Sequence, residues 1–537
     1  MNKALSLACV TALTVSLVGC GGKDSGDRTG NYVNLAKEND VISMNSMYAT
    51  DGMSLEMIAA TIDGLVTMDK DGVAVPAIAE SYTVSDDGLT YTFNLRDAKW
   101  SNDEPVTADD FVFAWNYTIR NPKAEYAYLF TDDGACVKNA NEIFSDGSDA
   151  ELGVSAKDEK TLVVELSKKC PYFVSLMTFP VFYPVNEKFF NEAGEKYATT
   201  PDYLLACGPY QLMDWRQGKS LTLDKNQKYW DANAVQVDGI NVNIIAEAST
   251  AALDFESGNT DFAKLNSTLV DKYKDAKEYQ SFLEGYLWYL QYNFANEDLQ
   301  NVNVRKAIGA VIDRQDLVEN VLKDGSIAKG GFVPTAFTTG PDGKDYAETG
   351  KEYYTSYGKD ALKEAQKYWD LAKKELGKDE ITIKLMYEPA DPAKPAAEFI
   401  QAQLQQLDGL NVEMVSQEKN SRIEKQKQGD FDVCLTRWGP DYADPTTYLN
   451  LMVTGNAYNY GNYSNPEYDA LMQQAADAAT DQERWDLLHA AEDKLMEDSP
   501  VVGLFQVGGA TLVKDGVTGI ESHAFGVPYI YRNLKVE

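Results

Sequence analysis

The feature that most constrains the fold is a strand-like run followed by a loop in which glycine and proline prevent a helix. Residues Phe431-Asp432-Val433-Cys434-Leu435 alternate like a half-buried strand, and Gly439 and Pro440 follow shortly after. Asp444 followed by Pro445 predicts a helix start, with Asp444 as the N-cap and Pro445 at the first helical position, where a missing N–H has no cost. The chain is therefore expected to pass from strand through loop to helix here.

This loop carries an acid that the helix start does not use. Asp441 stands beside two aromatic residues, Trp438 and Tyr442. One interpretation is that Asp441 only closes a turn, as aspartates often do. The other is that Asp441 is a carboxylate held beside two rings to bind a cation.

The order of strand, Trp-x-x-Asp-Tyr, x-x-Pro-Thr and aromatic-rich helix resembles the extracytoplasmic oligopeptide-binding proteins of ABC importers. In that family the aspartate at the position of Asp441 pairs with the α-amino group of a bound peptide. Further stretches follow the family order, among them Ser85–Arg96, Trp100–Phe111, Cys207–Leu212, Asn303–Ile308 and Ser464–Leu471. Within them, Thr107 and Asp110 are spaced like a capping pair and predict the start of a helix, Phe111 to Ile119. The resemblance implies an α/β protein with a two-lobed, hinge-closing periplasmic-binding-protein-like fold of type II and an additional N-terminal subdomain.

The chain of 537 residues is longer than one hydrophobic core usually serves, so several lobes are expected. Following the family order, we divide it into a lipoprotein signal peptide with lipobox at 1–20, a flexible tether at 21–30, lobe I at 31–68, 192–290 and 510–537, an additional subdomain of lobe I at 69–191, and lobe II at 291–509.

The N-terminus predicts export. Lys3 precedes the apolar stretch Ala4 to Val18, which is too short for a stable membrane span, and small residues flank Cys20. The placement of Cys20 resembles the bacterial lipobox, in which the cysteine is lipidated; the alternative is an ordinary signal with a chance cysteine. The lipobox interpretation anchors the protein on the outer face of the cytoplasmic membrane, or in the periplasm.

The net charge of the chain disfavours one class of partner, and the positions of the cysteines bear on disulfide bonds. The formal net charge is −34, from 83 acidic and 49 basic residues, which disfavours nucleic acid because phosphate contacts need clustered Lys and Arg. Cys136, Cys170, Cys207 and Cys434 form no C-x-x-C pair and are interpreted as buried small hydrophobes or as one disulfide that sequence cannot assign.

Several ligand contacts follow from the resemblance. The loop before the first helix supplies Thr50 and Gly52, one tyrosine of the pair Tyr126 and Tyr128 faces the ligand, and we favour Tyr126. Gln291 and Asn293 are candidates on a strand-like run, Tyr286 to Phe294, that is expected to cross between the lobes as a hinge. The complete predicted ligand-binding set is Asp441, Trp438, Tyr442, Gly439, Arg437, Gln291, Asn293, Thr50, Gly52 and Tyr126.

The anchor for the carboxyl end of a peptide is not assigned. Leu435 stands where some oligopeptide binders carry an arginine for this purpose. Arg422, Lys425 and Lys427 are upstream cations that either replace it or are ordinary surface residues.

The sequence contains little evidence for a catalytic site. His489 and His523 are the only histidines, and no phosphate-binding or calcium loop has the required spacing. We therefore expect no enzyme, no cofactor and no metal. The resemblance implies a monomeric lipid-anchored protein that captures oligopeptides and delivers them to ABC permease subunits in the membrane. The alternatives are the same fold binding an oligosaccharide, haem or a metal chelate, and a peptide sensor without transport.

Overall fold

The computed structural model describes residues 30–537. The predicted signal peptide, Cys20 and the tether up to residue 29 lie outside the described residues. Within residues 30–537, no helix is both long enough and apolar enough to cross a membrane.

One large mixed sheet runs through the molecule. Its strands lie in the order Leu410–Ser416, Ile381–Tyr387, Val433–Trp438, Tyr279–Tyr292, Val501–Val513, Phe262–Leu265, Tyr32–Lys37, Gly239–Ile244, Ser220–Lys225 and Tyr210–Arg216, with Ile327–Ala328 paired to Val501–Val513.

Two long strands join the two ends of this sheet. Residues 279–283 pair antiparallel with 508–512, whereas residues 287–292 of the same strand pair with Val433–Trp438. The other long strand continues to Phe262–Leu265. Strand Tyr279–Tyr292 therefore crosses between two lobes, as the family resemblance implied, and it begins seven residues earlier than the predicted run, Tyr286 to Phe294.

A bulge interrupts this crossing strand. The register shifts between Leu283 and Leu287, and Gly285 lies inside the shift. A Cβ atom on Gly285 would stand 2.1 Å from the carbonyl oxygen of Ala524 and 2.5 Å from Cγ of Pro440. Glycine is required here because the loop that carries Asp441 packs directly on the strand backbone.

A second, four-stranded antiparallel sheet lies in the predicted subdomain. Its strands are Ala79–Val84, Thr90–Leu95, Thr161–Glu165 and Val154–Asp158. Helix Ala108–Ile119 packs beside it and begins with the predicted capping pair, because Asp110 accepts a hydrogen bond of 3.0 Å from the backbone N–H of Thr107. Three pairs of short strands complete the sheets: Val66–Met68 with Ala74–Pro76, Val517–Thr518 with Lys535–Val536, and Glu521–Ser522 with Tyr529–Ile530.

Helices cover the sheets. Those in the first half of the chain are Gly52–Thr61, Ala108–Ile119, Ala140–Asp146, Phe173–Leu176, Glu187–Ala193, Ala248–Glu256 and Ser267–Tyr273. Those in the second half are Val302–Val311, Arg314–Asp316, Tyr346–Thr349, Gly358–Leu376, Ala393–Leu404, Lys419–Lys427, Thr446–Leu449, Pro466–Asp477 and Asp481–Asp498.

The hydrophobic core is divided in the same way as the sheet. One large cluster joins the first strand to the four-stranded sheet, and a second surrounds Trp288, Trp369 and Leu435. A third cluster contains residues from both ends of the chain, including Met68 and Tyr448. The fold is the expected two-lobed α/β architecture, while the predicted lobe boundaries stay predictions because the crossing strands belong to both lobes.

Candidate functional site

Asp441 lies in the loop between strand Val433–Trp438 and helix Thr446–Leu449. Its backbone N–H donates to Oγ1 of Thr447 at 3.3 Å, and its carboxylate accepts a hydrogen bond from the Tyr128 hydroxyl at 3.0 Å. No ion pair within residues 30–537 joins this carboxylate. Burial raises the pKa of Asp441 to about 6, and the bond from Tyr128 opposes that rise. Asp441 is a half-buried acid for which residues 30–537 supply no cation.

The neighbouring acid Asp444 has the opposite surroundings. Arg484 donates to both of its carboxylate oxygens, at 2.7 and 2.8 Å, and the two side chains are only 9% and 7% exposed. Asp444 also accepts from the backbone N–H and the hydroxyl of Thr446, at 3.0 and 2.7 Å. The helix begins at Thr446, one residue later than predicted, so Pro445 occupies the N-cap position and Asp444 caps it from the residue before. Its charge is satisfied within the protein.

A cavity of about 890 Å³ lies between the lobes in front of Asp441. Its volume is in the range of sites that enclose drug-sized ligands. Six of the predicted ligand residues line it: Thr50, Gly52, Tyr126, Arg437, Gly439 and Asp441. The structure therefore brings together residues that lie as far apart in sequence as 50 and 441.

A second chamber of about 580 Å³ lies on the other side of Asp441, which lines both. Trp438 and Tyr442 belong to this chamber and not to the larger cavity. Trp438 packs edge-on against Tyr458 at 4.9 Å between ring centroids. Tyr442 stacks on Tyr172 of the subdomain at 4.0 Å, with the ring planes 8° apart. The two aromatics thus flank Asp441, and Tyr442 also fixes the loop against the subdomain.

Gln291 and Asn293 do not join the site. Gln291 is buried, and its side-chain oxygen accepts a hydrogen bond of 2.8 Å from Gln426. The Asn293 amide donates to the carbonyl oxygens of Gly429 and Phe431 at 2.9 and 2.8 Å. The alternation of the strand suggested an exposed polar face, but helix Lys419–Lys427 and its following loop cover that face, and the amides satisfy buried groups there.

Arg437 and Gly439 face Tyr286 of the crossing strand. A Cβ atom on Gly439 would lie 2.3 Å from the Tyr286 ring, so only glycine allows this approach. The Arg437 guanidinium carbon lies 5.6 Å from the Tyr286 ring centroid and 5.2 Å from that of Trp288. Both distances are typical of cation–π interactions, and these interactions hold the exposed Arg437 guanidinium at the cavity wall.

The lining of the larger cavity also contains cations that are already paired. Lys37 forms an ion pair of 2.8 Å with Glu56, and both side chains are less than a tenth exposed. Burial lowers the pKa of Lys37, and Glu56 partly offsets this effect. Lys264 pairs with Glu284 at 3.1 Å.

Metal and disulfide chemistry have no assembled site in the described part of the chain. No group of three or more His, Cys, Asp or Glu side chains within residues 30–537 is placed to hold a metal ion. Cys136, Cys170, Cys207 and Cys434 are buried thiols, which is the first of the two interpretations offered by the sequence.

Three important residues were missed at the sequence level. Tyr128 reaches Asp441 from the second chamber, whereas Tyr126 of the same short 3₁₀ helix, Glu125–Phe130, lines the larger cavity. Tyr286 was noted only as part of a strand. Arg484 carried no signal, since it lies inside an ordinary amphipathic helix.

The comparison with known proteins decides the family. The sequence profile of the bacterial extracellular solute-binding proteins, family 5, middle region, matches residues 73–460. The chain belongs to this family. A dipeptide-binding protein of Lactococcus lactis is 32% identical over 561 residues, covering 100% of this chain and 99% of that protein.

Solved structures of family 5 proteins agree with the fold. Listeria monocytogenes OppA bound to peptide is 36% identical, with a TM-score of 0.74 over 95% of this chain and 99% of that chain. The murein tripeptide-binding protein MppA, in its unliganded open form, is only 26% identical but has a TM-score of 0.82 over 95% and 98%.

Proposed function

We propose that this protein is the substrate-binding component of an ABC importer and that it captures peptides outside the cytoplasm for delivery to a membrane permease. The observation that carries the proposal is Asp441, a half-buried carboxylate at the wall of a cavity between two lobes, for which residues 30–537 provide no cation. An isolated buried charge is costly, and folded proteins normally pair it. The α-ammonium group of a peptide supplies the missing partner in a charge-assisted hydrogen bond.

The surroundings of Asp441 suit a peptide better than the alternatives. An oligosaccharide has no cation and would leave the carboxylate unpaired. The relatives named above are described as binding a dipeptide, a peptide and a murein tripeptide. A two-lobed protein can enclose such a ligand by rotating about its crossing strands, which excludes water and strengthens the contact with Asp441.

Native mass spectrometry of the full chain, purified from a peptide-rich host without unfolding, tests the proposal. We expect a ladder of adduct masses that fragment as peptides. An empty protein that also fails to retain an added tripeptide pool, or a single discrete non-peptide adduct, would contradict it. Peptide uptake in cells with and without the chain then separates transport from sensing.

A lipid anchor at Cys20 completes the proposal and rests on the sequence alone. Lipidation would hold the monomeric protein at the outer face of the membrane, beside its permease. Metabolic labelling with a fatty acid should mark the wild-type protein and not Cys20→Ser.

A further inference from the structure

Arg437 is a cation at the cavity wall whose charge is not neutralised by any carboxylate within residues 30–537. Its guanidinium lies over the rings of Tyr286 and Trp288. Two other cations of the cavity lining, Lys37 and Lys264, are both paired with glutamates, at 2.8 and 3.1 Å. Their charges are therefore not available to an anionic ligand group, whereas that of Arg437 is.

The position of Arg437 relative to Asp441 is limited by the chain. The two residues are four positions apart along one strand end and loop, so their Cα atoms are separated by at most about 14 Å. Tyr286 lies between them. Its ring stands against Gly439 and within 5.6 Å of the guanidinium, and the charges of Arg437 and Asp441 act on the pKa of its phenol in opposite directions. A positive and a negative charge without an ion-pair partner within residues 30–537 thus line one cavity, and the chain limits the distance between them.

We propose that Arg437 binds the terminal carboxylate of the peptide whose α-ammonium group binds Asp441. This inference rests on the proposed function and deepens it, because it assigns the anchor that the sequence left open. The preferred ligands are then short peptides with both termini free. A chain of n residues spans about 3.3–3.6 Å per residue, so peptides of roughly two to four residues match the spacing.

The guanidinium is suited to this role. Its planar donors bind a carboxylate through two parallel hydrogen bonds, and stacking on Tyr286 orients it before a ligand arrives. Lobe closure would remove water from the contact and strengthen it. Leu435, two residues earlier, is fully buried in the core of lobe II, so it has no part in ligand recognition.

Lys419 provides the matched control. It also lines the cavity and has no ion pair within residues 30–537, but it is exposed at the first position of helix Lys419–Lys427 and contacts no ring. A general attraction of any cavity cation for anionic ligands would involve Lys419 as much as Arg437. A specific carboxylate contact would involve Arg437 alone.

The test uses two randomised tripeptide pools that differ only at the carboxyl end, one as free acids and one as amides. The wild-type full chain, Arg437→Ala, Arg437→Lys and Lys419→Ala are incubated with each pool, and retained peptides are quantified by mass spectrometry, followed by calorimetry on the best-retained sequences. We expect the wild type and Lys419→Ala to prefer acids over amides by at least about tenfold. Arg437→Ala should bind both pools equally, and Arg437→Lys should keep part of the preference.

The outcomes separate this inference from the proposed function. Equal retention of acids and amides by the wild type, or an unchanged preference in Arg437→Ala, would overturn the role of Arg437 while peptide capture stands. A preference that follows acidic side chains and not the free terminus would also overturn it. Failure of the wild type to retain either pool would contradict the proposed function itself. Thermal unfolding of each variant establishes that it is folded.

Discussion

At the scale of single residues, the loop between strand Val433–Trp438 and helix Thr446–Leu449, which we call the anchor loop, contains two acids three positions apart. The surroundings of the two acids differ. Asp444 has Arg484 and two donors from Thr446, whereas Asp441 has one tyrosine hydroxyl. Burying Asp441 without a cation costs free energy that folding must supply. If Asp441 only closed a turn, asparagine at this position would make the protein more stable. We therefore infer that the carboxylate is present because it binds the ligand.

Asp441→Asn tests that interpretation directly. We expect peptide affinity to fall tenfold or more, which corresponds to about 1.4 kcal/mol, because the amide keeps the size of the side chain and loses its charge. Isothermal titration calorimetry with a peptide identified by mass spectrometry measures the change. The unfolding midpoint should not fall, and unchanged affinity would remove the anchor role.

The pKa of Asp441 sets an expected lower limit for binding. Because this pKa is raised from 3.8 to about 6, peptide affinity should decrease as pH falls through about 6, where the carboxylate becomes neutral. It should also decrease above about 8, where the peptide α-amino group loses its proton. Titrations between pH 5 and 9 would show this window, and Asp441→Asn should lack the acidic limb.

The raised pKa of Asp441 makes the stability of the ligand-free protein depend on pH in the opposite direction to peptide affinity below about pH 6. A carboxyl with a raised pKa in the folded state stabilises that state fully below its unfolded value of 3.8, and this contribution is lost as pH rises through about 6. Acidification therefore favours the empty fold at this residue while it disfavours the complex.

Asp444→Asn should affect stability. Removing one partner of a buried pair leaves the Arg484 guanidinium uncompensated, and the expected loss is about 3–5 kcal/mol of unfolding free energy. Urea unfolding followed by circular dichroism measures it, with Asp441→Asn as the matched control on the same loop. Equal midpoints for the two variants would refute the assigned difference between the acids.

At the scale of elements, the central feature is the bulged strand Tyr279–Tyr292, which carries Tyr286 to the cavity and leaves room for the anchor loop at Gly285. The bulge sets the direction of the Tyr286 side chain, and Pro440 of the loop packs where a larger residue than Gly285 would stand. The position of Asp441 thus depends on a strand that is far away in sequence.

Gly285→Ala should disturb both elements together. The added methyl group meets the Ala524 carbonyl and Pro440, so we expect about 1–3 kcal/mol of destabilisation and weaker peptide binding. Ser281→Ala, an exposed position on the same strand, should change neither quantity. Thermal unfolding and calorimetry on both variants provide the comparison; full affinity in Gly285→Ala would show that the loop is independent of the strand.

Local patterns predicted much of this element scale. Alternation and Gly439-Pro440 predicted the strand and loop, and the Thr107–Asp110 pair predicted a helix start, because such rules depend on neighbours in sequence. The partners of the two acids were not predictable in this way. Tyr128 lies 313 residues from Asp441, and Arg484 lies 40 from Asp444. Gln291 and Asn293 were selected by strand alternation, which does not report that a helix covers the polar face.

At the scale of the whole molecule, the two lobes are joined by two paired strands. We expect a tripeptide pool with free termini to reduce the radius of gyration measured by small-angle X-ray scattering, because closure brings the lobes together. The same pool with acetylated amino ends should leave the radius unchanged, since it lacks the ammonium group. A radius independent of both pools would argue against closure.

The ion pair between Asp444 and Arg484 has a consequence for the kinetics of recognition. Together with the stack of Tyr442 on Tyr172, it holds the anchor loop in one conformation before any ligand is present. The entropy of ordering this loop is therefore lost when the chain folds and not when a peptide arrives. An incoming peptide meets a rigid charge, so changes within the loop should alter residence time far more than the rate of encounter.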